Sequence, residues 1–280
     1  MKKALITFCA AIAGALSLVI SGAGANGSPY SPGLAHGWDG VLASDGDVRF
    51  VTLGTAASTT VAAISVRGGR VLRTRTVRGS YGVPLVAHDG TTGGLSGDGR
   101  LLVVASYGPQ PGTAGSTQFL VLATRSLRPR SLVKLAGSWS FDAISPDGKT
   151  LYLVEHLSAG PKPRYSVRVF DLARNRLVPG AVVDRIEKES VMGGQPVTRA
   201  SSPDGRWAYT LYARPTSEPF VHALDTARRE AFCIDLPLRM GEVEQWGLRL
   251  RLAPEGELAV RNGSGRVAAI DTVTFAVRQI

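Results

Sequence analysis

Cysteine, lysine and aromatic residues are scarce in this chain of 280 residues, and each scarcity excludes a class of structure. Two cysteines, Cys9 and Cys233, cannot build the framework of a disulfide-rich secreted domain. Aromatic residues make up 7% and charged residues 19%, but 44% of the residues are hydrophobic, which is enough to form a core. The composition therefore excludes a disordered or fibrous chain and indicates a globular domain.

Familiar catalytic and metal-binding motifs are also missing. The sequence contains no G-x-S-x-G elbow of a serine hydrolase, no HExxH, no paired-cysteine spacing and no EF-hand loop. His88-Asp89 and the 36–39 segment could contribute metal ligands, but adjacency without such spacing is weak evidence. We therefore predict no catalytic residues, no metal and no cofactor.

The N-terminus has the pattern of an export signal. Lys2 and Lys3 precede an apolar run over residues 4–20, and an A-x-A cleavage pattern ends at Ala25. We expect cleavage before Asn26; the alternative is an uncleaved anchor, for which the apolar run is short. The protein is then secreted or periplasmic, contacts the membrane only through this signal, and has little access to nucleic acid.

Removal of residues 1–25 leaves residues 26–280 as a single domain with Cys233 as its only cysteine. The net charge falls from +10 to +8 because Lys2 and Lys3 are lost. A lone cysteine cannot form an internal disulfide, so the core must hold this domain together. We expect a monomer.

Arginine accounts for 26 of the 32 cationic residues, and five arginines are concentrated in one alternating stretch. They are Arg67, Arg70, Arg73, Arg75 and Arg78. Alternation places every second side chain on the same face of a strand, which favours a solvated outer strand. The alternative is attraction to an anionic polymer of the cell envelope.

A turn made of a small residue or proline, an acid and glycine occurs five times. Its glycines are Gly46, Gly99, Gly148, Gly205 and Gly256, at separations of 53, 49, 57 and 51 residues. Proline or a small residue, an acid and a left-handed glycine suit a tight hairpin turn. One short strand-like run precedes each turn, and three strand-like runs follow it. The sequence therefore predicts four strands, A to D, in each of five units.

Four-stranded units of about 50 residues without intervening helices predict an all-β propeller with five blades; six blades, with extra strands from residues 26–40, is the alternative. The unit resembles the blade of bacterial WD40-like, YVTN-type and TolB-like propellers. The resemblance is carried by Ile144-Ser145-Pro146-Asp147-Gly148, Ser202-Pro203-Asp204-Gly205 and Val169-Phe170-Asp171-Leu172. It implies the architecture and no particular activity.

Long B–C and D–A connections emerge on one face of such a propeller, and tight A–B and C–D turns emerge on the other. Binding residues concentrate in loops on a rigid scaffold, so the loop-rich face is the candidate site. Three tryptophans lie at similar offsets before their turn glycines, with polar residues nearby. The predicted ligand-binding residues at the channel mouth are Trp38, His88, Asp89, Trp139, Arg199, Glu244 and Trp246.

Two functions remain open at this stage. The first is a non-enzymatic scaffold that binds a protein or an envelope polysaccharide through its loop-rich face; in it the tryptophans anchor the ligand, although they could equally pack between blades. The second is a hydrolase or lactonase centred on the channel, which uses carboxylates with or without a divalent metal. Asp89, Asp142 and Glu244 are its candidate carboxylates.

Overall fold

A computed structural model describes Gly37, residues 39–159 and residues 162–280. The predicted signal peptide, Trp38 and most of the segment proposed to supply a sixth blade lie outside the described residues. Within them, no helix has the length and apolarity needed to cross a membrane. The described part of the chain is almost entirely β-strand and turn.

Five antiparallel sheets follow one another along the chain, and each is a meander of consecutive strands. Blade 1 contains β1 (Val41–Leu42), β2 (Val48–Gly54), β3 (Ser58–Ser65) and β4 (Val71–Arg78). Blade 2 contains β5 (Leu101–Ala105), β6 (Ser116–Ala123) and β7 (Pro129–Ala136). Blade 3 contains β8 (Trp139–Ile144), β9 (Thr150–Ser158), β10 (Arg164–Asp171) and β11 (Arg176–Ala181), with β12 (Met192–Gly193) paired to β10.

The last two blades follow the same order. Blade 4 contains β13 (Gln195–Ser201), β14 (Trp207–Ala213), β15 (Phe220–Asp225) and β16 (Glu230–Asp235). The short helix α1 (Glu242–Gln245) precedes blade 5, which contains β17 (Leu248–Leu252), β18 (Glu257–Asn262), β19 (Gly265–Asp271) and β20 (Val277–Gln279). The predicted all-β propeller architecture is confirmed, and the described residues form five blades.

Blade 2 differs from the others at its inner strand. Gly82 and Leu95 each make an isolated bridge to β5, in place of a continuous strand A. Between them, residues 84–93 form a hairpin whose arms are joined by a bridge from Leu85 to Thr92. We call this the channel hairpin, because its tip reaches the inner strand of blade 4.

The five turn glycines occupy equivalent positions between strands A and B. Their φ angles are 75°, 65°, 68°, 72° and 80° in chain order, all in the left-handed region that only glycine enters without strain. In blade 3, Asp147 Oδ1 accepts hydrogen bonds from Ser145 Oγ and the Lys149 amide, which closes the turn. The repeat inferred from the sequence is therefore confirmed in the structure.

Apolar cores fill the spaces between successive blades. One cluster joins blades 1 and 2 around Phe50 and Leu122, and another joins blades 2 and 3 around Phe119 and Phe141. Two clusters lie between blades 3 and 4, and the largest joins blades 4 and 5. Burial of these faces is the main favourable term that holds the blades together.

Blades 1 and 5 share no apolar cluster within the described residues. Strand β17 alternates between leucines buried against blade 4 and exposed arginines. On the far side of blade 1, Leu42 and Leu53 are exposed. The two terminal blades therefore each leave one sheet face outside the inter-blade cores.

Candidate functional site

Two of the predicted residues meet at the tip of the channel hairpin. The His88 ring contacts Trp246 edge to face, with 4.9 Å between ring centroids, and His88 Nε2 lies 3.4 Å from Gln195 Oε1. The backbone amides of His88 and Asp89 donate to Pro196 and Val197 carbonyls at 3.0 Å. Burial lowers the pKa of His88, so its imidazole is largely neutral at pH 7. The structure thus links blades 2, 4 and 5 at this point.

Trp139 occupies a different environment from Trp246. It is buried in the cluster between blades 2 and 3, and its indole N–H donates to the Ala136 carbonyl at 2.7 Å. The ring therefore packs blades together, which is one of the two interpretations that the sequence allowed. Trp246 is half-buried, and Trp38 lies outside the described residues.

Arg199 and Asp142 form a buried ion pair between the inner strands of blades 4 and 3. Their side chains are only 7% and 3% exposed. The Arg199 guanidinium also donates to the Asp142 carbonyl and, at 2.8 Å, to Thr210 Oγ1. Every polar arm of Arg199 thus has a partner inside the protein, and the pair holds β8 against β13.

The other predicted acidic residues have local partners. Asp89 is exposed and accepts hydrogen bonds from the Thr91 amide and hydroxyl at 3.0 and 2.6 Å. Glu244 accepts the Gly241 amide at 2.9 Å at the start of α1. Because Asp142 is engaged by Arg199, the three carboxylates considered for hydrolysis each serve a separate contact.

A buried serine and histidine lie beside the Arg199–Asp142 pair. Ser140 Oγ is 2.9 Å from His156 Nε2, a distance suited to a nucleophile and its base. His156 Nδ1 has no hydrogen-bond partner in the described part of the chain, so no orienting acid completes a triad. Ser140 is 1% exposed, and the cavity that it lines together with His156 has a volume of only about 20 Å³, which is room for about one water molecule. Burial lowers the pKa of His156 to about 4.

A cavity on the loop-rich face lies between blades 3 and 4, and we call it the loop-face pocket. Its volume is about 330 Å³, within the range of small-molecule sites. Its walls come from the B–C loops of blades 3 and 4 and from the D–A connection between them. The charged lining residues are Lys162, Arg164, Asp184, Glu187, Glu189 and Arg214.

Arg214 anchors one wall of the loop-face pocket. Its guanidinium lies over the Phe220 ring at 4.4 Å, donates to the Glu218 carbonyl and pairs with Asp235. The Arg214 amide donates to Gln245 Oε1 at 2.8 Å. Helix α1 therefore braces the pocket wall from blade 5.

Three potential metal ligands meet at the base of the loop-face pocket. The ligand atoms of Asp184, Glu187 and Cys233 lie within 4.8 Å of one another. The Asp184 carboxylate already accepts the amides of Ile186, Glu187 and Cys233. Burial raises the pKa of the Cys233 thiol. The group is a structural cap of the 184–187 turn.

Comparisons with known proteins identify no family for this chain. No protein-family model matches the sequence, and no curated protein is similar to it at a significant level. Among solved structures, hydrazine synthase of Kuenenia stuttgartiensis is 17% identical, with a TM-score of 0.46 over 90% of this chain and 80% of that one.

Two further structures are propeller-type neighbours. The Cps50 (Swd1) β-propeller domain of Myceliophteria thermophila is 14% identical (TM-score 0.48, 84% of this chain, 64% of that one). TolB from Acinetobacter baumannii is 16% identical (TM-score 0.38, 83% of this chain, 56% of that one). Since these TM-scores lie below 0.5, the sheet topology carries the assignment. The protein is a β-propeller.

Sequence reasoning missed most residues of the loop-face pocket. Arg214, Asp184 and Glu187 lie in connections of irregular length, where no repeat offset relates one blade to another. The usable signal was the length of the D–A connection between blades 3 and 4, which was recognised as a long loop. Its concentration of charge over residues 184–189 was the further clue.

Proposed function

We infer that the protein is an exported, non-enzymatic binding scaffold and that the loop-face pocket receives its protein or glycan partner. The observation that carries this proposal is the pocket itself, which is about 330 Å³ in volume and built from three loops of two blades. Export rests on the N-terminal sequence pattern.

The composition of the pocket suits a polar partner. Lys162 and Arg164 come from the B–C loop of blade 3, and Glu187 and Glu189 come from the D–A connection that follows it. Burial and nearby carboxylates raise the pKa of Glu187. Both signs of charge on a rigid frame allow hydrogen bonds to hydroxyl, amide and carboxylate groups of a partner.

Site-specific photocrosslinking in the producing cell tests the proposal. A photoreactive residue at Thr216, exposed on the pocket rim, should give a discrete adduct. The matched control is the same residue at Lys149, which is exposed beside the A–B turn of blade 3 on the opposite face. Equal adducts at both positions, or none at Thr216, would contradict the assignment. Thr216→Trp, which narrows the pocket, should abolish the adduct of a reporter placed at Ser217.

A further inference from the structure

The outward face of blade 5 carries a concentration of arginine unlike any other sheet face of the protein. Strand pairing places nine residues on this face: Arg249, Arg251, Glu257, Ala259, Arg261, Arg266, Ala269, Asp271 and Arg278. Five arginines against two acids leave a local charge of +3. We call this surface the blade 5 arginine face.

Three of these arginines form a row across three strands. Arg249 lies directly opposite Arg261, and Arg261 lies directly opposite Arg266. Like charges in directly opposed cross-strand positions destabilise a sheet. The row therefore opposes folding stability by itself, and a bound anion would remove the repulsion.

Acidic side chains on the blade 5 arginine face pair with only two of its five arginines. Glu257 pairs with both Arg266 and Arg278. Arg249 and Arg261 donate only to backbone carbonyls, of Trp246, Leu248 and Ser264. Together with Arg251, they have no acidic partner in the described part of the chain.

Two further parts of this chain lack acidic residues that could neutralise this charge. The outward face of blade 1 contains no acid; it carries Leu42, Arg49, Val51, Leu53, Ile64, Val71 and Arg78 together with a serine, threonines and an alanine. Residues 1–36, which lie outside the description, contain no aspartate or glutamate. We therefore look for the counter-charge in another molecule.

The uncharged residues of the face narrow the class of that molecule. Blade 5 is described throughout, and the two uncharged residues of its arginine face, Ala259 and Ala269, are small. Single-stranded nucleic acids use aromatic stacking platforms, and protein interfaces use aromatic anchors. A basic surface without either suits a linear chain that carries anionic groups and has no aromatic rings.

We propose that the blade 5 arginine face binds a linear carboxylated polysaccharide. Neighbouring strands lie about 4.8 Å apart, so the row from Arg249 to Arg266 spans roughly 10 Å. Guanidinium groups bind carboxylates through paired, charge-assisted hydrogen bonds. Successive carboxylates of one extended chain can therefore meet successive arginines, and this surface is separate from the loop-face pocket.

Binding of polygalacturonate to the mature protein tests the proposal. Wild type should bind this polymer, should lose affinity as salt rises, and should not bind its fully methyl-esterified form, which lacks the charges. The variant R249Q/R251Q/R261Q should bind roughly tenfold more weakly or worse. No binding by wild type, or equal binding of the esterified polymer, would overturn the proposal.

A charge-matched control separates a specific face from net charge. R125Q/R128Q/R130Q removes the same charge from exposed positions in blade 2 and should leave affinity within about twofold. An equal loss in both triple variants would mean attraction to net charge only. Hydrogen exchange of wild type needs no variant, and polygalacturonate should protect β17 and β18 selectively.

Two other polyanions decide the class of partner. At equal concentrations of anionic groups, oligo(dT) and poly-L-glutamate should bind more weakly than polygalacturonate. Tighter binding of either would overturn the polysaccharide assignment. Thr216→Trp should leave polygalacturonate binding unchanged, so failure of this proposal and failure of the loop-face pocket are distinguishable.

Discussion

Arginine pairs with an acidic residue both in the interface between blades 3 and 4 and on the outward face of blade 5, but the two pairs have different surroundings. In the interface, Arg199 and Asp142 are removed from water and fully partnered. On blade 5, Arg266 and Glu257 are each about one-third exposed and stand among further arginines. A charged side chain on a strand therefore has a structural role where a neighbouring blade covers it, and it is available for binding where no blade does.

Removal of the buried arginine should have the largest effect. Arg199→Leu leaves Asp142 charged and unpaired in the interface, and we expect the free energy of unfolding to fall by about 3 to 5 kcal/mol. Arg266→Leu, the matched change on blade 5, should cost less than about 1 kcal/mol. Urea denaturation measures both, and equal losses would show that burial does not separate these two pairs.

The two described channel-side tryptophans offer the next comparison. Trp139→Ala removes a buried ring from an inter-blade core and should cost about 3 kcal/mol or more. Trp246→Ala removes a half-buried ring and should cost clearly less. Thermal and urea unfolding measure the loss of stability in both variants. If Trp246→Ala destabilised the protein as strongly as Trp139→Ala, its ring would also be a packing element and not part of a ligand surface.

The blade 3–blade 4 interface should also make stability depend on pH. Burial lowers the pKa of His156 from 6.5 to about 4 in the folded protein. The unfolded chain takes up this proton first as pH falls, so stability decreases from about pH 6.5 to about pH 4 and is unaffected above that window.

Between pH 7.5 and pH 5 the His156 contribution should be a loss of about 2 kcal/mol. Urea unfolding at the two pH values measures the total change. His156→Gln should remove most of this pH-dependent loss of stability. The part that remains should include the contribution of His222, another buried histidine whose pKa is lowered. An unchanged pH dependence in His156→Gln would refute the assignment.

Substitution of two equivalent turn glycines should also lower the free energy of unfolding by different amounts, but the difference should be smaller. Gly148→Val introduces strain at φ 68°, and its Cβ would lie 2.6 Å from Leu101 Cδ1 of blade 2. Gly46→Val introduces the same strain, but no atom lies within 4 Å of its Cβ. We expect Gly46→Val to lower the free energy of unfolding by about 1 kcal/mol and Gly148→Val to lower it by more. Identical losses would mean that backbone strain alone sets the cost.

Much of the fold followed from local chemistry. The acid-glycine turns and the alternating runs around them depend on a few adjacent residues, so each blade could be located from its own segment. The short run expected before the turn of Gly99 was the exception, because blade 2 replaces its inner strand by the channel hairpin. That hairpin is held by backbone bonds to Pro196 and Val197, which lie over 100 residues away.

The amino-acid sequence by itself determined the positions of the repeated turns and the order of the strands around them, because turn chemistry and strand periodicity act over short distances. Only the tertiary structure decided the roles of individual side chains. Trp139 and Trp246 have similar offsets in the repeat, yet one is buried and the other meets His88. Likewise, β13 and β17 both carry arginines, but only Arg199 has a neighbouring blade and an aspartate to face. Burial and partner choice depend on which distant residues come together.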